Sequence, residues 1–437
     1  MKKGIVLRLF TAVMALALFG VACSSESDSG NSNTNASEKS ADETKNDKAV
    51  ETEAVSAVDD GASTLNRDLT ALLVEHEYLA GIALSRAIKS GGDLKAADVE
   101  AGVAALDNNT KALGAAIGSI YGAEGEKTFL DLWRKHIGFF VNYTLGTATG
   151  DKAMAKSAKA DLDGYRKDFG AFIEAATEGT LPGQAVTDAL KPHVATTIEA
   201  IDSLIAFESG TPKGDPFQLL KKAASHMPHI ATALAGGIAQ HQGLDGAADS
   251  GASSLQGTLT AGLVEHEYLA GIALTTAVEA GGDLKDPAVK AAVGALDANT
   301  VDLGAAIGSI YGAEGEKTFL DLWRKHIGFF VNYTLGTATG DKAMAKSAKT
   351  DLDGYRKDFG AFIEAATEGA LPGQAVTDAL KPHVAKTITA IDSVVAFESG
   401  KPQGNPFDLL REAASHMPHI ATALAGGIIT QKPELAG

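Results

Sequence analysis

Between residues 64 and 239 apolar side chains return every third or fourth position, and no stretch alternates strictly between apolar and polar. That period predicts helix, in six amphipathic segments near 64–90, 96–121, 124–148, 151–178, 183–208 and 215–239. Breaker residues fall at the junctions: Gly91-Gly92, Gly122, Gly150-Asp151, Gly179 with Pro182, and the stretch from Gly210 to Pro216. Asp215-Pro216 is a start signal, because the carboxylate can accept free amide protons while proline takes the first helical position, where no N–H is needed. Connections this short make consecutive helices antiparallel neighbours. The expected fold is therefore all-α, an up-and-down bundle of four to six helices large enough to bury a full core.

The whole pattern then recurs. Gly61–Gln240 returns as Gly251–Thr430 at an offset of 190, with 147 of 180 aligned positions identical and an unbroken match from Leu113 to Lys159. A unit of that length is a domain and not a solenoid repeat. The chain divides into copy 1 (63–240), a linker (241–250), copy 2 (251–430) and a tail (431–437). The Gly-, Ala- and Asp-rich linker predicts two copies that sit close and are joined flexibly.

The first residues have a different character. Met1-Lys2-Lys3 and Arg8 form a basic start, and Leu9–Ala22 is an apolar run too short for a stable span, so residues 1–22 look like an export signal. Cys23 is the only cysteine, which leaves no internal disulfide. Gly20-Val21-Ala22-Cys23 resembles the lipobox of bacterial lipoproteins, with Gly20 where that family usually has Leu. The resemblance implies cleavage before Cys23, a lipid on its thiol, and an exported protein anchored in the cell envelope. Residues 23–62 are rich in Ser, Asp, Glu, Asn and Lys and predict a disordered tether. The formal net charge is −17, and loss of Lys2, Lys3 and Arg8 with the signal takes it to about −20. Such a surface disfavours nucleic acid and anionic lipid and suits cations.

Candidate chemistry lies in the histidines. Copy 1 carries His76, His136, His193, His226 and His229; copy 2 matches them with His266, His326, His383, His416 and His419, while His241 faces Gln431 and is set aside. His76 shares a stripe with Leu69, Leu72, Leu79 and Ala83, His136 with Phe129, Leu132, Phe140 and Tyr143, and His193 with Val186, Leu190 and Ile201. His226 and His229 lie three apart beside Met227, whose counterpart is Met417. Four helices thus aim imidazoles at one interior, where each needs a hydrogen-bond partner or a metal. Glu75, Glu77 and Tyr143, with Glu265, Glu267 and Tyr333, are near enough to support them. Imidazole with an available thioether favours copper, then zinc, then non-haem iron. Pro192 and Pro228 each precede a histidine within helical periodicity, so each either kinks a helix or marks a boundary.

Familiar catalytic signatures are missing from the sequence. There is no Glu-x-x-His pair, and His76-Glu77-Tyr78-Leu79-Ala80 lacks the second histidine of a zinc peptidase. Gly146–Lys152 has the wrong spacing for a phosphate loop, and no Gly-x-Ser-x-Gly elbow occurs. Gly114 and Gly118 form a small-residue pair suited to close helix packing.

Glu75-His76-Glu77-Tyr78-Leu79-Ala80, Leu132–Phe140, Tyr143-Thr144 and Ser225-His226-Met227 resemble a group of bacterial exported helical proteins, some labelled copper amine oxidase-like. The resemblance covers both copies and implies an exported, helical, metal-associated protein, pointing to His76, His136, His226 and Met227. Amine oxidase activity does not follow. Copper amine oxidases make their quinone from an Asn-Tyr-Asp or Asn-Tyr-Glu tyrosine, whereas Asn142-Tyr143 precedes Thr144 here, in a helix. The sequence reading is a non-enzymatic envelope lipoprotein whose duplicated bundle binds a transition metal, copper first. Its alternative is a surface ligand- or protein-interaction module with structural histidines and an unidentified partner.

Overall fold

The computed structural model describes residues 57–437, so the export signal, Cys23 and the tether up to residue 56 lie outside the described residues. Copy 1 consists of α1 (Gly61–Lys89), α2 (Ala97–Thr149), α3 (Lys152–Ala176), α4 (Gly183–Glu208), α5 (Pro216–Ala224) and α6 (Met227–Gln242). Copy 2 repeats them as α7 (Gly251–Glu279), α8 (Pro287–Thr339), α9 (Lys342–Ala366), α10 (Gly373–Glu398), α11 (Pro406–Ala414) and α12 (Met417–Gln431). The fold is all-α, with no strand among the described residues and no described helix long and apolar enough to cross a membrane.

Each long second helix is in fact a hairpin of two antiparallel arms. Gly122 sits at φ 71° and ψ −176°, a conformation open essentially to glycine alone, and reverses the chain there. The arms close tightly, since a Cβ on Gly114 or Gly118 would meet Leu130 or Glu126 at 2.7 and 2.6 Å. That accounts for the small-residue pair. With the hairpin resolved, the six predicted segments stand, except that the last is broken: α5 ends at Ala224 and α6 begins at Met227. Pro228 therefore occupies the first turn of α6, where it costs nothing, while Pro192 lies within α4. The Asp215 side chain accepts from the amides of Phe217 and Gln218, and Asp151 accepts from Ala153 and Met154 at the start of α3.

The polar tether ends earlier than its composition suggests. Residues 57–59 are already helical, Val58 and Ala62 are buried, and the Asp60 carboxylate caps α1 through the Ser63 amide.

The two copies are not separate bodies on a loose linker, because one apolar core runs through both. Helices α1 and α7 lie side by side, parallel and in register, so each residue faces the neighbourhood of its own counterpart. The Tyr78 and Tyr268 rings stack at 5.8 Å with planes 1° apart. Tyr78 Oη donates to Glu265 at 2.9 Å and Tyr268 Oη to Glu75 at 3.0 Å, a reciprocal pair about a pseudo-twofold axis. Arg411 donates to Glu75 at 2.7 Å, and Lys221 faces Glu265 at 3.4 Å. The linker is pinned as well. Gly61 and Ala62 amides donate to Asp245, and the matching Gly251 and Ala252 amides donate to carbonyls of Gly437 and Ala436 in the tail.

Candidate functional site

Helix α1 is buried without interruption from Leu73 to Leu79, between its own bundle and α7. A helix with core on every side must satisfy any polar group it carries from its neighbours. His76 points into copy 1, where its Nε2 lies 3.3 Å from His136 Nε2, on the second arm of α2. His266 and His326 repeat that distance, 3.3 Å, in copy 2. Trp133 packs on both rings at 4.8 and 4.6 Å, and Tyr165 of α3 stacks on His136 at 4.7 Å. Burial pushes His76 down to about 4, opposed by the nearby Asn109 side chain, and pushes His136 well below the usual histidine range. The paired imidazoles are thus neutral.

One step along α1, Glu77 turns toward α4. Its Oε2 stands 3.4 Å from His193 Nδ1, and its Oε1 accepts from Thr197 at 3.0 Å. Burial raises Glu77 to about 7 and lowers His193 to about 3, so the pair leans to its uncharged form. Glu267 and His383 match them at 3.5 Å, with Glu267 raised to about 8.

In copy 2 His266, His326, His383, Tyr355 and Met417 line a cavity of about 30 Å³, enough for one water-sized guest. Polar atoms without partners gather around this point: Nδ1 of His76 and of His136, Trp133 Nε1 and Tyr165 Oη in copy 1, and His326 Nδ1 and Tyr355 Oη in copy 2. Buried groups are normally paired, so a cluster of orphans marks a place where water or an ion completes the set. Trp323 Nε1 donates to His266 Nδ1 at 3.3 Å. That leaves the His266 proton on Nε2, which donates to His326 Nε2.

The remaining candidates lie elsewhere. His229 and His419 are exposed; His226 and His416 are half-buried, with the Nε2 of His226 unpartnered. The break between α5 and α6 resets the helical phase and takes His229 off the core face. Glu75 and Glu265 serve the interface between copies, each also accepting from an asparagine, Asn109 or Asn299, at 2.9 Å. Tyr143 belongs to a separate apolar cluster, with its hydroxyl on Asp202 at 2.6 Å; Tyr333 is held alike by Asp392. Thr197 and Tyr165 went unselected in the sequence, although Tyr165 shares the stripe of Leu162 and Phe169.

Among the described residues no group of three or more His, Cys, Asp and Glu side chains converges closely enough to hold a metal ion ready-made. No protein-family model, curated protein or solved structure matches the chain.

Proposed function

We propose that each copy binds one transition-metal ion between His76 and His136, and between His266 and His326, with copper the favoured ion. The observation that carries this is the 3.3 Å between facing Nε2 atoms. Two imidazoles bonded at roughly 2.0–2.1 Å to one tetrahedral ion stand about 3.3 Å apart. Burial keeps both rings uncharged, as a metal requires, and uptake in copy 2 moves the His266 proton from Nε2 to Nδ1. Met417 lines the copy 2 cavity, Met227 is its buried counterpart, and a thioether selects for copper(I). Glu77 behind His193 is the carboxylate–histidine arrangement that orients a further ligand. Because no third group is in place, uptake draws Met227 or His193 inward. The protein carries or buffers the ion without turnover, and export with a lipid on Cys23 places it in the cell envelope.

A second reading has the same contact in its favour, since Nε2–H···Nε2 is also a hydrogen bond and the histidines then only pack a non-catalytic interaction module. Metal content separates the two. The chain from Ser24 onward, loaded with copper(I) or zinc and desalted, is expected to retain close to two equivalents, and its His136→Ala/His326→Ala variant almost none. Melting indifferent to metal and to chelator, with no retained ion, rules the metal reading out.

A further inference from the structure

His226 and His229 stand apart from the buried pair, yet they lie on a way to it. The break between α5 and α6 leaves His226 half-buried and His229 exposed, with buried Met227 between them in the chain. The Nε2 of His226 is itself buried and has no hydrogen-bond partner. In copy 2 Met417, the residue after half-buried His416, lines the same cavity as His266, His326 and His383. Surface imidazole, buried thioether, deeper imidazole and facing pair thus follow one another from solvent to core.

His193 is turned to take part. Its Nδ1 faces Glu77 at 3.4 Å and Thr197 at 3.3 Å, which leaves Nε2 as the nitrogen it can offer a metal. The rings are near enough to feel one another's charge. After burial, His76 and then His226 hold His193 low, while burial, Lys222 and then His229 lower His226. Copy 2 repeats the chain of influence, with His266 and His416 acting on His383 and His419 acting on His416.

The available ligands decide between this approach and the other one. A cavity of about 70 Å³ at the C-terminal ends of α1 and α7 also reaches Glu77, but its lining holds Arg86 and Lys89, both paired with Glu279 of the other copy, and no imidazole or thioether. A bare ion is too costly in an apolar interior, so it must pass from ligand to ligand. Only the histidine side supplies them. The bases beside it are matched, Lys222 by Glu199 at 3.1 Å and Lys386 by Glu412 at 2.6 Å.

We propose that His226 with His229, and His416 with His419, are the entry and exit ligands of the two sites, passing copper by way of Met227 and His193, or Met417 and His383, to and from the facing pair. This rests on the metal reading above and adds that capacity and rate of exchange belong to different histidines.

Release of copper(I) to excess bicinchoninate under reducing conditions, followed by colour, tests it on the chain from Ser24 onward. The variant His226→Asn/His229→Asn/His416→Asn/His419→Asn is expected to retain about two equivalents, as the parent does, and to release them about tenfold more slowly, with unchanged melting of the metal-free protein. Thr276→Arg, which adds a side chain to the other cavity, is expected to leave the rate as it was. Release from the fourfold variant at the parent's rate, loss of its retained copper, or slowing by Thr276→Arg overturns the proposal. A parent that retains no copper overturns the metal reading and this route with it.

Discussion

At Gly122 and Gly312 a single hydrogen atom decides the topology of each copy. Any side chain must adopt φ near +70° with ψ near 180° there, where a Cβ is strained. Gly122→Ala is expected to cost about 1–3 kcal/mol, and the double variant with Gly312→Ala about twice that, seen as lowered urea midpoints with unchanged slope. Single residues also show what the sequence could reveal. His76, His136 and His193 were legible because each sits on an unbroken helix whose apolar stripe fixes the direction of its side chain. His229 was misplaced because 215–239 reads as one helix, and the break at Ser225-His226 changes the phase by a non-integral turn. Glu75 and Glu77 differ by two positions, enough to send one to the seam and the other to His193. No single-copy pattern can distinguish a stripe that faces a core from one that faces a twin.

At the scale of elements, α1, the second arm of α2 and α4 bring three uncharged imidazoles into each copy, and this gives the metal-free protein a definite acid response. The folded values, about 4 for His76, about 3 for His193 and well below normal for His136, lie under the unfolded value of 6.5. Below pH 6.5 the unfolded chain therefore binds more protons, so this stabilisation is complete above 6.5 and is lost as pH falls toward 4. Glu77 and Glu267, raised to about 7 and about 8, act in the opposite sense between pH 4.5 and those values. Across both copies eight histidines are lowered, His226 and His416 among them, against five raised glutamates that include Glu208, Glu265 and Glu398, so the histidines prevail. Metal-free protein is expected to show a lower urea midpoint at pH 5.5 than at pH 7, with each titrating imidazole contributing up to about 1.4 kcal/mol per pH unit. An unchanged or higher midpoint at pH 5.5 would show that these rings are charged or exposed in the fold.

At the scale of the whole molecule, the stacked tyrosines, the reciprocal Tyr–Glu bonds and the shared core make the two copies one folding body. Cutting the chain at a protease site placed within residues 243–247 is expected to leave both halves together at the parent's elution volume in moderate salt. Separation into half-size species would mean that the linker, and not the seam, joins them. The duplication was legible from the 190-residue offset, and the all-α architecture from the 3.6-residue period. The seam itself was not, because charges such as Arg86 and Glu279 acquire meaning only when brought together from opposite copies.

The near-identity of the copies also bears on how the chain reaches this state. The stretch from Leu113 to Lys159 is the same, residue for residue, as 303–349. From Leu113 onward either hairpin therefore offers α1 and α7 the same side chains, and only the start of the first arm, where Asn108 meets Asp408 and Asp302 meets Lys221, tells the copies apart. Selection falls to connectivity: the few residues between α1 and α2 hold the correct hairpin at a high effective concentration, while its rival must close a loop some two hundred residues long. Correct assembly is thus a race won by the nearer partner, and an exchanged hairpin, once packed, would be held by all the contacts that the identical stretch makes.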